Sequence, residues 1–151
     1  MQRRHAPLLA SKEFHQRYFS YLVEGRTRQR LPLLHVRLMG KQTFKTVALV
    51  DSGATVTFIP PDLAATAELA VEERNVPAEG AGGDFMNDIC AFRIEVLKGK
   101  DVVAEISGKA HVPQEEGRIP FCVLGRDYLF ELYDITFREK DERIVFRFAR
   151  R

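Results

Sequence analysis

At 151 residues the chain fits one domain long enough to bury a core, and 45% hydrophobic with 29% charged residues is ordinary globular composition. No apolar run approaches the roughly 20 residues that a membrane-spanning helix needs. The formal net charge is only +2, but residues 1–30 hold seven Lys/Arg against two Glu, so the basic excess sits at the start and reads as a solvated arm.

In chain order, Ser11 is placed to cap a short helix over residues 11–24, with Phe14, Tyr18, Leu22 and Val23 near helical spacing. "GRTRQRLP" (25–32) reads as a linker, which predicts a basic N-terminal extension over 1–30 and a domain over 31–151. "LPLLHVRLMG" and "TFKTVALVD" make a hairpin about Gly40-Lys41, and "VTFIP" a third short strand stopped by Pro60-Pro61. "PDLAATAELA" starts on Pro61 and suits one short helix. Strand-like segments then flank the loop Gly80-Ala81-Gly82-Gly83, and Gly99-Lys100 marks another tight turn. "FCVLGRDYLFEL" is a buried strand breaking at Gly125 into a short helix. "YDITFREKDERIVFRF" closes the chain as two strands about a polar turn at Glu139–Glu142. Many short strands, two or three short helices and no βαβ rhythm predict a mostly-β, barrel-like domain.

Cys90 and Cys122 lie far apart and predict two buried thiols rather than a disulfide framework. His5, His15, His35 and His111 are scattered without metal-ligand spacing, so neither a metal nor a cofactor is expected. Basic residues are not interleaved with aromatic ones as a nucleic-acid face requires, which makes nucleic acid an unlikely partner, and no membrane contact is expected. "MQRRHAPLLASK" is too short in apolar residues for a secretory signal. A cytoplasmic location is the default, with organellar targeting left open.

The chemistry-bearing stretch is "ALVDSGATVTFIP" (48–60), where an apolar strand ends on Asp51. A lone buried carboxylate costs several kcal/mol unless compensated, so Asp51 either caps a turn or is kept for use. Ser52 offers a hydroxyl that can lock the turn, Gly53 permits close backbone approach, and Ala54 leads into a packed outgoing segment. "FCVLGRD" (121–127) supplies a second apolar run, in which Leu124 packs and Gly125 lets backbones come close.

Together these segments resemble the retroviral-type aspartic proteases (retropepsins) and their cellular relatives. "ALVDSGATVTFIP" is similar to the family's segment with Asp-Ser/Thr-Gly-Ala after an apolar strand, and "VLGRDYLFEL" to its Gly-Arg-Asp/Asn segment that leads into a C-terminal helix. The Gly80–Gly83 loop lies between them, where the family carries its flap, so the resemblance covers roughly residues 31–148. It implies a single-lobe, all-β acid-protease fold with one or two short helices and a β-hairpin flap. It implies Asp51 as the catalytic carboxylate, Ser52, Gly53 and Ala54 as its supporting loop, and Leu124, Gly125 and Arg126 as the motif packed on that loop. Gly80, Gly82, Gly83 and Phe85 become flap and substrate contacts; otherwise they are an ordinary hairpin loop.

Water-mediated peptide hydrolysis of this type uses two carboxylates sharing one proton, and this chain has one motif. The resemblance therefore implies a homodimer with the site on its axis, acting on a peptide or protein substrate. Ser52 would bond across that axis and "RIVFRF" would join an interfacial sheet. Three departures stand out, one being a longer approach to the flap with the Pro61–Ala70 helix inserted, as in some cellular relatives. Viral members often carry an Asp after the Ala, pairing with the Arg of the second motif; here that position is Thr55, so Arg126 needs another partner. The first 30 residues match nothing in the family's core. The competing readings are a catalytically silent dimer serving as a binding or scaffold module, and a small-ligand β-barrel with a coincidental Asp-Ser-Gly.

Overall fold

Alternating burial along the central hairpin organises the molecule. In the computed structural model, which describes residues 12–23, 27–80 and 83–149, strand β4 (Leu33–Met39) sends Leu34, Val36 and Leu38 into the main core. Strand β5 (Thr43–Val50) adds Ala48 and Val50 to the same side, while Leu33, Val47 and Leu49 belong to a second apolar cluster on the other face. The period of two along each strand thus splits one hairpin between two cores. The connection between the strands is pinned to helix α1 (Pro61–Ala67), whose Ala67 carbonyl accepts the Gln42 N–H at 3.1 Å. Proline at the first helical position suits this start, and Glu68 in the left-handed region ends the helix.

The larger sheet runs β6 (Val71–Gly80), β7 (Gly83–Lys98), β4, β5 and β9 (Cys122–Leu124), with β8 (Asp101–Pro113) also paired to β7. β7 is 16 residues long and serves two purposes: its first half pairs with β6 as a projecting hairpin, its second half with β4. β5 and β9 are parallel, with Val50 opposite Leu124. The domain is a mostly-β single lobe, as expected, but no continuous ladder closes it into a barrel among the described residues. Only Phe58 bridges β8 and β9, at His111 and Val123, so the strand expected over "VTFIP" reduces to this one bridging residue.

A second sheet of three strands, in the order β1 (Glu13–Arg17), β11 (Arg143–Phe148), β10 (Tyr133–Arg138), packs on the main core. Helix α2 (Leu129–Leu132) delivers the chain to β10, and a 3-10 turn at Glu139–Asp141 joins β10 to β11. Both agree with the pattern of "YLFEL" and "REKDE".

The start of the chain departs from expectation. Of the helix expected over 11–24, the described residues form two strands instead, β1 and β2 (Phe19–Val23). Phe14 and Tyr18 have i, i+4 spacing, but a strand that bends at Tyr18 also places both inward. Tertiary contacts decide between the two. Phe14 stacks on Phe146 at 4.4 Å and meets Tyr133 edge-on at 5.4 Å, and the Tyr18 hydroxyl donates to Glu139 at 2.8 Å. Aromatic and β-branched residues favour such a pleated, half-buried site over a helix. β2 forms a hairpin with β3 (Thr27–Leu31), and its Phe19 and Tyr21 cover the second apolar cluster together with Leu31. Strands β1, β2 and β3 are thus packed onto the body, with the Arg30–Glu142 ion pair tying hairpin to sheet.

β11 differs from its expected role too. Both of its edges are paired within its own chain, and Ile144 and Phe146 are fully buried. Each side chain contributes roughly 1.5–3 kcal/mol by burial, so this strand holds the core together and has no free edge for a partner strand. The edges left open in this sheet are those of β1 and β10.

Candidate active site

Asp51 stands immediately after β5, where the strand must turn away from its neighbour β9. The Asp51 N–H donates to the Leu124 carbonyl at 3.0 Å, the last bond of that parallel pairing. The carboxylate oxygen Oδ1 then accepts the Gly53 N–H at 2.8 Å, and the Ala54 N–H closes the turn on the Asp51 carbonyl at 3.3 Å. The carboxylate is therefore held by the backbone of its own loop, half-buried, with Ser52 exposed at the turn. An anionic acceptor of a backbone N–H is a strong, orienting bond.

Gly125 explains how the second motif locks this loop. A Cβ built on Gly125 would lie 2.3 Å from the Val56 carbonyl oxygen and 2.8 Å from that of Ala54, so only glycine lets the two backbones cross. One residue on, the Arg126 N–H donates to the Ala54 carbonyl at 2.8 Å. The Arg126 side chain is exposed and forms no ion pair among the described residues. Its neighbour does the tying: Asp127 accepts the Thr57 N–H and the Thr57 hydroxyl, each at 2.7 Å, plus the Tyr128 N–H at 2.9 Å. Thr57 is almost completely buried, so this doubly bonded carboxylate satisfies donors that would be costly to leave unpaired. The sequence offered this pairing as the threonine of "TVTF" and the aspartate of "GRD", two signals that spacing alone does not connect.

Residues 57–59 are clamped from both sides. Phe58 exchanges two 2.9 Å bonds with Val123, while the Thr57 carbonyl accepts the His111 N–H at 2.9 Å and the Ile59 N–H donates back to His111 at 3.0 Å. His111 lies beside Phe58, its Nδ1 buried without a hydrogen-bond partner among the described residues. Burial pushes the imidazole below its ordinary range, against the opposing pull of the Asp127 and Glu73 carboxylates. The unfolded chain, with its histidine near the ordinary 6.5, therefore takes up a proton that the folded protein refuses. Stability from this group is complete above about pH 6.5 and is lost as pH falls below it. Urea midpoints at about pH 7.5 and about pH 5.5 should diverge less for His111→Gln than for the wild type. An equal divergence would mean that His111 is not held neutral.

A cavity of about 590 Å³ opens over the loop, lined by Asp51, Gly53, Ala54 and Thr55, by Phe58 and Val123, and by Phe85 of the β6–β7 hairpin. Gly80 and Gly83 pair at the end of that hairpin, and Gly82 lies outside the described residues. Phe85 sits 6.2 Å from Phe58 between ring centroids, and the Arg118 guanidinium lies 4.1 Å over the Phe85 ring. Arg118 also donates to the Gly83 carbonyl at 3.3 Å, and the Gln114 N–H to that of Met86 at 3.0 Å. The segment between β8 and β9 thus straps the hairpin over the cavity, a contact that the sequence pattern did not reveal.

Cys90 and Cys122 are both free and buried, and burial raises the Cys122 thiol to about 12, which makes it inert. Among the described residues no cluster of His, Cys, Asp and Glu could hold a metal ion, and no helix is long and apolar enough to cross a membrane.

The arrangement is one carboxylate at a locked strand–turn crossing, facing a cavity under a hairpin. A family model described as "gag-polyprotein putative aspartyl protease" matches residues 35–131, from β4 through the Asp51 loop and the hairpin to α2. Among solved structures, EIAV protease complexed with the inhibitor HBY-793 is similar with a TM-score of 0.50 at 19% identity, covering 66% of this chain and 85% of that one. No curated protein matches the chain. Since the family model spans well over half of the sequence and the solved structure shares its fold, the chain belongs to the gag-polyprotein aspartyl protease family and has a retropepsin-like fold.

Proposed function

We propose that the protein is an aspartic endopeptidase, active as a homodimer, that hydrolyses peptide bonds with water activated between two copies of Asp51. The observation that carries this reading is the placement of the Asp51 carboxylate: bonded to Gly53 at 2.8 Å, it lines the 590 Å³ cavity beneath Phe85. One such carboxylate is half of the machinery. An ionised carboxylate can take a proton from water as its oxygen adds to the carbonyl carbon, but a second, protonated carboxyl must donate to the carbonyl oxygen. The tetrahedral adduct then collapses with the C–N bond breaking and a proton passing to the leaving amine. The second group is the partner's Asp51, brought close by a two-fold axis. Exposed Ser52 is suited to bond across that axis, and the open edges of β1 and β10 are available for pairing between copies.

The substrate lies extended between the hairpin and the Asp51 loop, its backbone pairing as an added strand. Gly80, Gly82, Gly83 and Phe85 act as the flap, and Ala54, Phe58 and Val123 favour apolar side chains. A peptide analogue with a hydroxyl-bearing tetrahedral carbon in place of the scissile carbonyl should bind tightly, because it mimics the adduct. Titration calorimetry is expected to give one analogue per two chains. One analogue per chain would contradict the shared site.

A further inference from the structure

The three-stranded sheet, which does not include the Asp51-bearing β5, carries a second feature. β1 and β11 pair with Arg17 opposite Arg143, and β10 and β11 pair with Arg138 opposite Arg143. Three arginines therefore stand in one row across three adjacent strands, and cross-strand partners share a face of the sheet. That face is the outer one, since Phe14, Ile144 and Phe146 of the alternate positions are buried. Like charges directly opposite one another destabilise a sheet, and this row places a third charge beside the first two.

Counter-charges do not resolve the row. Arg138 pairs with Asp141 at 2.6 Å, but Arg17 and Arg143 have no ion pair among the described residues. The nearby acids are engaged elsewhere: Glu13 with His15 at 2.9 Å and Arg147 at 3.7 Å, and Glu142 with Arg30. Asp101 faces Lys98 across the β7–β8 turn without forming an ion pair among the described residues. Arg17 and Arg143 instead line a concavity of about 440 Å³ together with Lys98, His15 and Gln16. Lys98 is brought there by donating from Nζ to the His15 carbonyl at 2.6 Å, which attaches the end of β7 to β1. Two arginines, a lysine and a histidine thus line a hollow that no carboxylate residue lines.

We infer that this hollow is a binding site for a phosphate group, carried by inorganic phosphate or by a small phosphorylated molecule. Two guanidinium forks match phosphate oxygens bidentately, and the lysine adds a compact third charge. A bound dianion turns the repulsive row into an attractive cluster. The site is distinct from the Asp51 cavity, because none of its residues lines that cavity.

The test uses the full chain at constant ionic strength, exchanging chloride for inorganic phosphate in one arm and for phenyl phosphate in another. Thermal unfolding should shift upward saturably with phosphate, and calorimetry should show binding that weakens by about tenfold or more in Arg17→Gln and in Arg143→Gln. Binding in both arms assigns the phosphate group itself, and binding of phenyl phosphate alone assigns an esterified ligand. Without phosphate, Arg143→Gln should unfold at a higher temperature than the wild type, since it removes the centre of the row. Equal thermal shifts in chloride and phosphate, or equal phosphate affinity in wild type and both variants, would overturn the site. So would a lower unfolding temperature for phosphate-free Arg143→Gln combined with unchanged stability of Arg17→Gln.

Discussion

Asp51→Asn is expected to lower kcat/KM by about 10⁴-fold or more while leaving the fold in place. The substituted amide keeps the size of the carboxyl group, and its oxygen can still accept the Gly53 N–H that the carboxylate accepts at 2.8 Å. The bond between the Asp51 N–H and Leu124 is a backbone bond and survives any side chain. What is lost is chemical: an amide neither takes a proton from water nor donates one to a carbonyl oxygen as a carboxylic acid does. Cleavage of a peptide library by purified wild type and variant, beside their thermal unfolding curves, separates the two effects. Residual activity above a few per cent in a fully folded variant would contradict a carboxylate mechanism.

Gly125→Ala should destabilise the protein strongly, because the added methyl group has no room at the crossing of the two loops. Its Cβ would sit 2.3 Å from the Val56 oxygen, 2.6 Å from the Val56 carbonyl carbon and 2.8 Å from the Ala54 oxygen. These are backbone atoms, so no rotamer change relieves the clash and the Asp51 loop must move away from β9. That motion stretches the Arg126–Ala54 bond and pulls on the bonds of Thr57 to Asp127. A loss of about 3 kcal/mol or more is expected, a large part of the stability of an ordinary domain. Gly53→Ala is the control, since its Cβ would meet only the Asp51 carboxylate oxygen, at 3.2 Å. Urea unfolding of both variants checks the contrast; equal midpoints would mean that the crossing of the two loops is not tight.

The central parts of this fold were legible because their signals are local. The hairpin of β4 and β5, the proline-started helix α1 and the polar turn between β10 and β11 follow from alternation and turn residues within short windows. The Asp51 loop and its glycine partner were legible as two motifs in sequence order. Residues 13–23 were not, because Phe14 and Tyr18 satisfy helical spacing and the residues that overrule it, Tyr133 and Phe146, lie more than a hundred positions away. The same distance hid the central place of β11, whose "RIVFRF" reads equally well as a core strand or an edge strand. Arg126 drew notice as the charged residue of its motif, yet its backbone does the work and the side chain that ties the loop belongs to Asp127. A one-dimensional pattern names the residue types at a crossing but not which donor meets which acceptor.

The central claim is that one chain holds half a site, and the measurement that tests it most directly is specific activity over a dilution series, run alongside sedimentation. Each chain supplies a single Asp51, so a monomer lacks the second carboxyl that must share the proton. Specific activity should fall as concentration drops below the dimer dissociation constant, in step with the monomer fraction seen by sedimentation. A monodisperse monomer that cleaves peptide at constant specific activity across the series would contradict the account.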